Sequence, residues 1–310
     1  MRDSPEVVTL GEAMALFLAE PGTAVSYARW FDASVAGAEA NVAIGLARLG
    51  HRVRYAGRVG ADPLGETVIR TLRGEAVDVT AVVTDPDRPT GLLIRDAPAG
   101  RPIQVVYRRS GSAGAALAVA DVPTAAAAAA SVVHLTGITA VLSDTAYRAV
   151  TATAEAARHV VFDPNIRLRL APVATWRSLV EAFAPLVDTL LVGAEELALL
   201  DLDPTWFLTR GVTLVVVKDG ADGAWATDGD QKWRTPARPV PVVDPVGAGD
   251  AFAAGWISGM LREVPVPRRL AEAAAVASCV VASRGDFAGL PTAAVRDALV
   301  DTDAGPDVLR

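Results

Sequence analysis

Cysteine is almost absent from this 310-residue chain, with Cys279 the only one. A single thiol excludes an internal disulfide and fits a reducing compartment, which makes the cytoplasm the expected location. It sits in the apolar run "AVASCVVA", the setting of a packing thiol rather than a reactive one. Histidine is scarce too: His51, His134 and His159 are scattered, and no Cys/His spacing suggests zinc. Positive charge is in deficit, with 29 Lys and Arg against 36 Asp and Glu and a net charge of −7. That balance argues against a nucleic-acid partner, because binding a phosphate backbone needs a basic surface. The start, "MRDSPEVVTLGEAM", has no basic segment followed by a long apolar core, so no secretion signal is expected. A clean membrane span is also lacking. Residues 122–143 carry no charged side chain, yet Pro123, His134, Thr136 and Gly137 interrupt them and much of their apolar content is alanine. A surface helix, including the alanine run 125–130, leading into a buried strand is the expected reading, and the chain is expected to be soluble.

What is present is 51% hydrophobic residues against 21% charged ones, ample material for a core. Apolar runs recur at "VVTL" (7–10), "RVRYAG" (52–57), "SVVHL" (131–135), "HVVFD" (159–163), "TLLVG" (189–193) and "TLVVVKDG" (213–220). Runs without polar alternation mark strands covered on both faces. Helical spacing fills the gaps: "EANVAIGLARLG" ends on a glycine, and "SDTAYRAVTATAEAARH" opens on a serine cap. Strands alternating with helices predict an α/β fold with a mostly parallel central sheet and helices on both faces. Two regions, 13–36 and 89–109, break the rhythm with short β-like pieces around "EPGTA" and "DAPAGRP". They read as a small projecting sheet, a lid over a site.

The stretch "VDPVGAGDAF" (243–252) concentrates the chemistry. Behind it, Phe252, Trp256, Ile257, Met260 and Leu261 fall on one expected helical face, with Gly255 allowing close packing. Gly247, Ala248 and Gly249 therefore sit at a helix N-terminus, where free amides and the helix dipole favour an anion. Asp250 is a carboxylate placed beside a site built for negative charge. It is either a helix cap or a base that takes a proton from a nucleophile attacking a phosphoryl group. Other junctions point the same way. "VAGAEANVAIGLARLG" (35–50) and "AGRVGADPLG" (56–65) lead from loops into helices, and "DPNIR" (163–167) ends a buried strand, where open sheets place ligand groups. "VVKDGADGAW" (216–225) is a strand, a glycine turn and a second strand, a shape suited to an adenine pocket.

From about residue 5 to 295 these pieces resemble the ribokinase-like (PfkB) carbohydrate kinases. "GAEANVAIGLARLG…AGRVGADPLG" is similar to the family's first signature and "DPVGAGDAFAAG" to its second, more specific one. The resemblance implies one ribokinase-like domain over 1–310, a Rossmann-type α/β sandwich with a small β-sheet lid. "GEAMALF", "YRRSGSAGAAL", "DPNIRLRL" and "SRGDFAGLP" favour the branch that uses ATP to phosphorylate the terminal hydroxyl of 2-keto-3-deoxygluconate. Carried over, Gly37, Ala38, Glu39, Ala40 and Asn41 line the sugar-acid pocket, with Tyr107 and Arg109 from the lid. Arg167 contacts substrate carboxylate or nucleotide phosphate, and Asp286 holds a substrate hydroxyl. Asp250 is the base and Gly247, Ala248 and Gly249 form the anion hole. Lys218, Asp219, Gly220, Ala221, Asp222 and Gly223 belong to the ATP site. ATP and magnesium are the implied cofactors, a monovalent cation is left open, and a homo-oligomer joined through the lid is the implied assembly.

Three positions depart from that branch: Leu93 replaces a tyrosine, "YRR" replaces "YYR", and Gly193-Ala194-Glu195-Glu196 replaces Asn-x-x-Glu. Only Glu196 of the magnesium-linked pair survives, acting through water or simply as a first-turn helix acid. Rival readings are a family kinase for fructose, ribose or another keto-deoxy sugar, a non-catalytic sugar binder, and more distantly a nicotinamide dehydrogenase.

Overall fold

The apolar runs become strands in the computed structural model, which describes residues 4–96 and 102–301. In chain order they are β1 (Val7–Leu10), β2 (Met14–Ala19), β3 (Phe31–Ala36), β4 (Val53–Gly60), β5 (Asp78–Asp85) and β6 (Leu92–Arg95). There follow β7 (Val105–Arg108), β8 (Val132–Thr136), β9 (Val160–Asp163), β10 (Thr189–Gly193), β11 (Leu214–Lys218), β12 (Ala224–Thr227) and β13 (Lys232–Thr235).

Nine of these form one sheet in the order β13-β12-β11-β10-β9-β8-β1-β4-β5. The seven from β5 to β11 are parallel, and β12 and β13 extend the far edge antiparallel. Side chains on the central strands alternate between two cores. Val7, Val132, Val161, Leu191 and Val216 enter one; Val8, Val133, Phe162, Leu190 and Val215 enter the other. Each face is covered by helices, as the unbroken apolar runs require.

The expected lid is a separate sheet in the order β3-β2-β6-β7. Its inner face packs Leu16, Leu18, Ala36 and Leu93 with Val105 and Tyr107. The Ala-Gly turn expected at 97–101 and most of the C-terminal tail, 302–310, lie outside the described residues.

Two expectations need correction. The edge strand β5 was not anticipated, because "DVTAVVTD" is half-exposed and carries no continuous apolar run. The helix Ala248–Leu261 is buried all round from Ala251 to Gly259, not on one face. It is central, packed between the helices Ala38–Arg48 and Val266–Val281. Gly255 permits the second contact, since a Cβ there would lie 2.8 Å from the Cα of Ala273.

Candidate active site

Parallel strands aligned in one sheet deliver their C-terminal ends to one edge, where the connecting loops can converge. Here the ends of β1, β8, β9, β10 and β11 present Glu12, Thr136, Asp163, Gly193 and Lys218 along that edge. The lid sheet closes the other side. Between them runs a cleft of about 1020 Å³, at the upper end of the usual range for ligand sites. A smaller cavity of about 650 Å³ lies on the lid, and among the described residues Arg169 is the one charged side chain lining it.

The cleft gathers most of the expected residues: Gly37, Ala38, Glu39, Asn41, Tyr107, Arg109, Arg167, Glu196, Lys218 to Asp222, Gly247, Gly249, Asp250 and Asp286. Three do not line it. Ala40 points into the core, because the helix Ala38–Arg48 turns that position inward. Gly223 packs against β13, where a Cβ would lie 2.1 Å from the Thr235 carbonyl oxygen. Ala248 turns its amide back to the Pro245 carbonyl at 3.3 Å.

Gly247 supplies the bend that starts the helix Ala248–Leu261, with φ 85°. The first amide bonded to the Gly247 carbonyl is that of Ala251, at 2.8 Å, so the Gly249 and Asp250 amides precede the helical ladder. Asp250 is held by two amides. Asn41 Nδ2 donates to Oδ2 at 2.8 Å and Asn165 Nδ2 to Oδ1 at 3.4 Å. Burial pushes the Asp250 carboxyl up to about 7 and Asp163 adds to the rise, while Asn41, Arg167 and Lys218 oppose it. A carboxyl poised near neutral pH suits a general base.

Lys218 stands next to the turn, its Nζ 3.7 Å from where a Cβ on Gly249 would lie. Burial alone would favour its neutral form. Asp163, which accepts from Nζ at 2.5 Å, and Glu196 outweigh burial and hold its pKa above the ordinary lysine value. The Glu196 oxygens accept from the amides of Gly193 at 2.7 Å and Ile166 at 2.6 Å. The carboxylate thus caps its helix and fixes the β9 loop. Burial, and then Asp163, push its pKa up.

Glu39 and Arg109 both line the cleft, and each is already engaged by neighbouring side chains. The Glu39 carboxyl is buried beneath the cleft wall and accepts from Thr136 at 2.6 Å and Thr139 at 2.5 Å, with burial raising its pKa. Arg109 does not wait for a substrate carboxylate. Glu12 accepts from its Nε at 2.7 Å and pairs with its Nη2 at 2.5 Å, and Ser112 fixes the other Glu12 oxygen. Arg167 and Arg169 are exposed cations on the cleft wall: Arg167 donates to the Ile166 carbonyl and Arg169 to the Val105 carbonyl, and neither forms a salt bridge with any described residue. Glu12, Arg95, Asp244 and Asn165 are site residues that sequence reasoning passed over. The signal for two of them was a lone charge in an apolar run, Glu12 in "VVTLGEAMALFLA" and Arg95 in "GLLIR", because a buried charge requires a partner.

A family model described as the pfkB family carbohydrate kinase matches residues 4–293. The chain belongs to this family. Among curated members it is 36% identical over 300 residues to 2-dehydro-3-deoxygluconokinase of Bacillus subtilis (strain 168), covering 93% of each chain. It is also 36% identical over 296 residues to 2-dehydro-3-deoxygluconokinase of Thermoproteus tenax, covering 92% of this chain and 91% of that one. The structure superposes on the crystal structure of a PfkB protein from Polaromonas sp. JS666 with a TM-score of 0.86 and 35% identity, covering 95% and 100% of the two chains. The ribokinase-like fold expected from the motifs is therefore the fold observed. The chain is a carbohydrate kinase of the pfkB family. Among the described residues no helix is long and apolar enough to cross a membrane.

Proposed function

We propose that the chain transfers the terminal phosphoryl group of ATP to the terminal hydroxyl of 2-keto-3-deoxygluconate. The observation that carries the mechanism is Asp250, a carboxyl with a pKa of about 7 at the helix start beside the Gly249 amide. In its ionised form it takes the proton as the sugar oxygen bonds to phosphorus and the bond to the leaving nucleotide breaks. The Gly249 and Asp250 amides and Lys218 meet the negative charge on the transferring group. Asn41 orients the base, and its buried Oδ1 has no partner among the described residues.

The acid branch is supported by the names of the two relatives and by Arg167. A guanidinium on the cleft wall with no salt bridge to any described residue matches a carboxylate through two parallel hydrogen bonds. Asp286 has Oδ1 engaged by Arg95, which leaves Oδ2 for a sugar hydroxyl. The nucleotide lies along Lys218 to Asp222.

Among the described residues no group of three or more His, Cys, Asp or Glu could hold a metal by itself. Magnesium carried on nucleotide phosphates keeps several waters and needs only one or two carboxylates, a demand that Glu196 on the cleft wall fits, whereas Asp163 is buried with its oxygens engaged by Lys218 and the Asn165 amide. Both Glu196 oxygens already accept amides, so its contact runs through water. When bound, the ion offsets phosphate charge.

Tyr27 and Trp30, 80% and 74% exposed in the segment joining β2 to β3, suit a second copy of the chain docking on the lid. Sedimentation would reveal the dimer, and a monomer at all concentrations would remove it. The function itself is tested by ADP release with ATP and 2-keto-3-deoxygluconate, fructose or ribose in turn. Turnover on the acid is expected; turnover on neutral sugars alone would replace the acid, and none at all would restore the non-catalytic reading.

A further inference from the structure

The turn that carries Asp250 has no regular structure leading into it: residues 236–245 form neither helix nor strand. Its position is set by two acids. Asp244 accepts from the amide of Val246 at 3.2 Å and from that of Gly285 at 3.0 Å. Gly247 rests on the backbone of Asp286, so closely that an added Cβ would lie 2.1 Å from its carbonyl oxygen. Both acids meet one guanidinium. Arg95 Nη2 lies 2.8 Å from Asp244 Oδ2 and 2.6 Å from Asp286 Oδ1, and its Nε donates to the same Asp286 oxygen at 3.2 Å. Its Nη1 donates to the Asp96 carbonyl at 3.2 Å.

Arg95 belongs to the lid, on β6 between Leu18 of β2 and Val105 of β7. The three side chains are out of water, with Arg95 1%, Asp244 0% and Asp286 5% exposed. A second tie runs alongside: Arg284 donates to the carbonyls of Leu18 and Ala19 and pairs with Asp32 of β3. One guanidinium serving two buried carboxylates is expensive to desolvate, and apolar packing would hold a loop as firmly. What it adds is a fixed geometry between lid and turn.

We propose that Arg95 is a positioning residue that ties the lid sheet to the Gly247–Asp250 turn, so that the amides and the base reach working geometry only with the lid seated. It acts through Asp244 and Asp286, and it rests on the kinase reading above.

The test is steady-state kinetics of Arg95→Ala and Arg95→Lys, varying ATP and the sugar acid separately, with and without guanidinium ion at sub-denaturing concentration. A misplacement of about 1 Å costs roughly 10²-fold in rate, so kcat of Arg95→Ala should fall by about that factor while both KM values change far less. Guanidinium should restore turnover to Arg95→Ala and leave the wild type unchanged. Arg95→Lys should lie between them, because an ammonium cannot span both carboxylates. If Arg95→Ala does not fold, the kcat-against-KM split in Arg95→Lys decides. Wild-type kcat in a folded variant, a raised KM at unchanged kcat, or a kcat loss in Arg95→Ala that guanidinium does not restore would overturn the proposal. A wild-type protein that phosphorylates no sugar would instead contradict the kinase reading.

Discussion

Replacing Asp250 by asparagine removes the proposed proton acceptor while keeping the shape of the side chain. The carbonyl oxygen of the new amide can still accept from Asn41 Nδ2, which donates to the native carboxylate at 2.8 Å. Loss of a general base lowers kcat by about 10²–10⁴-fold, and Asp250→Asn should fall in that range with ATP affinity nearly intact. The wild-type pH profile follows from the same group. Only the ionised carboxylate can act as a base, so with a pKa of about 7 the rate should level off above that pH. Below it the rate should drop about tenfold per pH unit.

Stability carries the opposite sign. Burial raises the folded-state pKa of Asp250 above its unfolded value, so the folded protein holds this proton more tightly. Its contribution is fully present below about pH 4 and is lost as the pH rises to about 7, where an ionised, desolvated carboxylate remains. Asp250→Asn should therefore denature at a higher temperature than wild type at about pH 8 and at nearly the same temperature below about pH 4. ADP release across pH and thermal denaturation at the two extremes measure both effects. A variant with near-normal turnover, or a wild-type profile flat through neutrality, would refute the base and leave Asp250 a helix cap. A lower denaturation temperature at alkaline pH would refute the burial argument.

Two further outcomes follow from the cleft. Arg167→Lys should lower kcat/KM on the sugar acid roughly ten- to a hundredfold, the worth of one charged hydrogen bond, and much less on a neutral sugar. Equal losses on both would mean that Arg167 reads phosphate. Gly247→Ala places a Cβ at φ 85° and 2.1 Å from the Asp286 carbonyl oxygen, so it should depress kcat and lower the denaturation temperature together. Unchanged kinetics would show that the turn does not need its present shape.

Much of this architecture was legible because burial on both faces writes itself as unbroken apolar runs, as in β1, β9 and β10. The edge strand β5 escaped because its side chains are largely half-exposed. The all-round burial of the helix Ala248–Leu261 escaped because it depends on two partners at once, the next helix in the chain, Val266–Val281, and the distant helix Ala38–Arg48. In the site, Asp250 and the glycine turn were readable as a compact motif. The partners of the charges were not: Arg109 finds Glu12 across 97 positions and Arg95 finds Asp244 across 149. The identity of Glu12 as the acid that occupies Arg109 also alters the substrate argument, which now leans on Arg167.

The central claim, that the cleft selects a sugar acid for phosphorylation, is most directly tested by competition. Wild-type protein is given limiting ATP with equal concentrations of 2-keto-3-deoxygluconate, fructose and ribose, and the phosphorylated products are separated by mass. The account predicts that the phosphate ester of the keto-deoxy acid dominates, because only that substrate brings a carboxylate to Arg167. A product mixture dominated by fructose phosphate or ribose phosphate would contradict it.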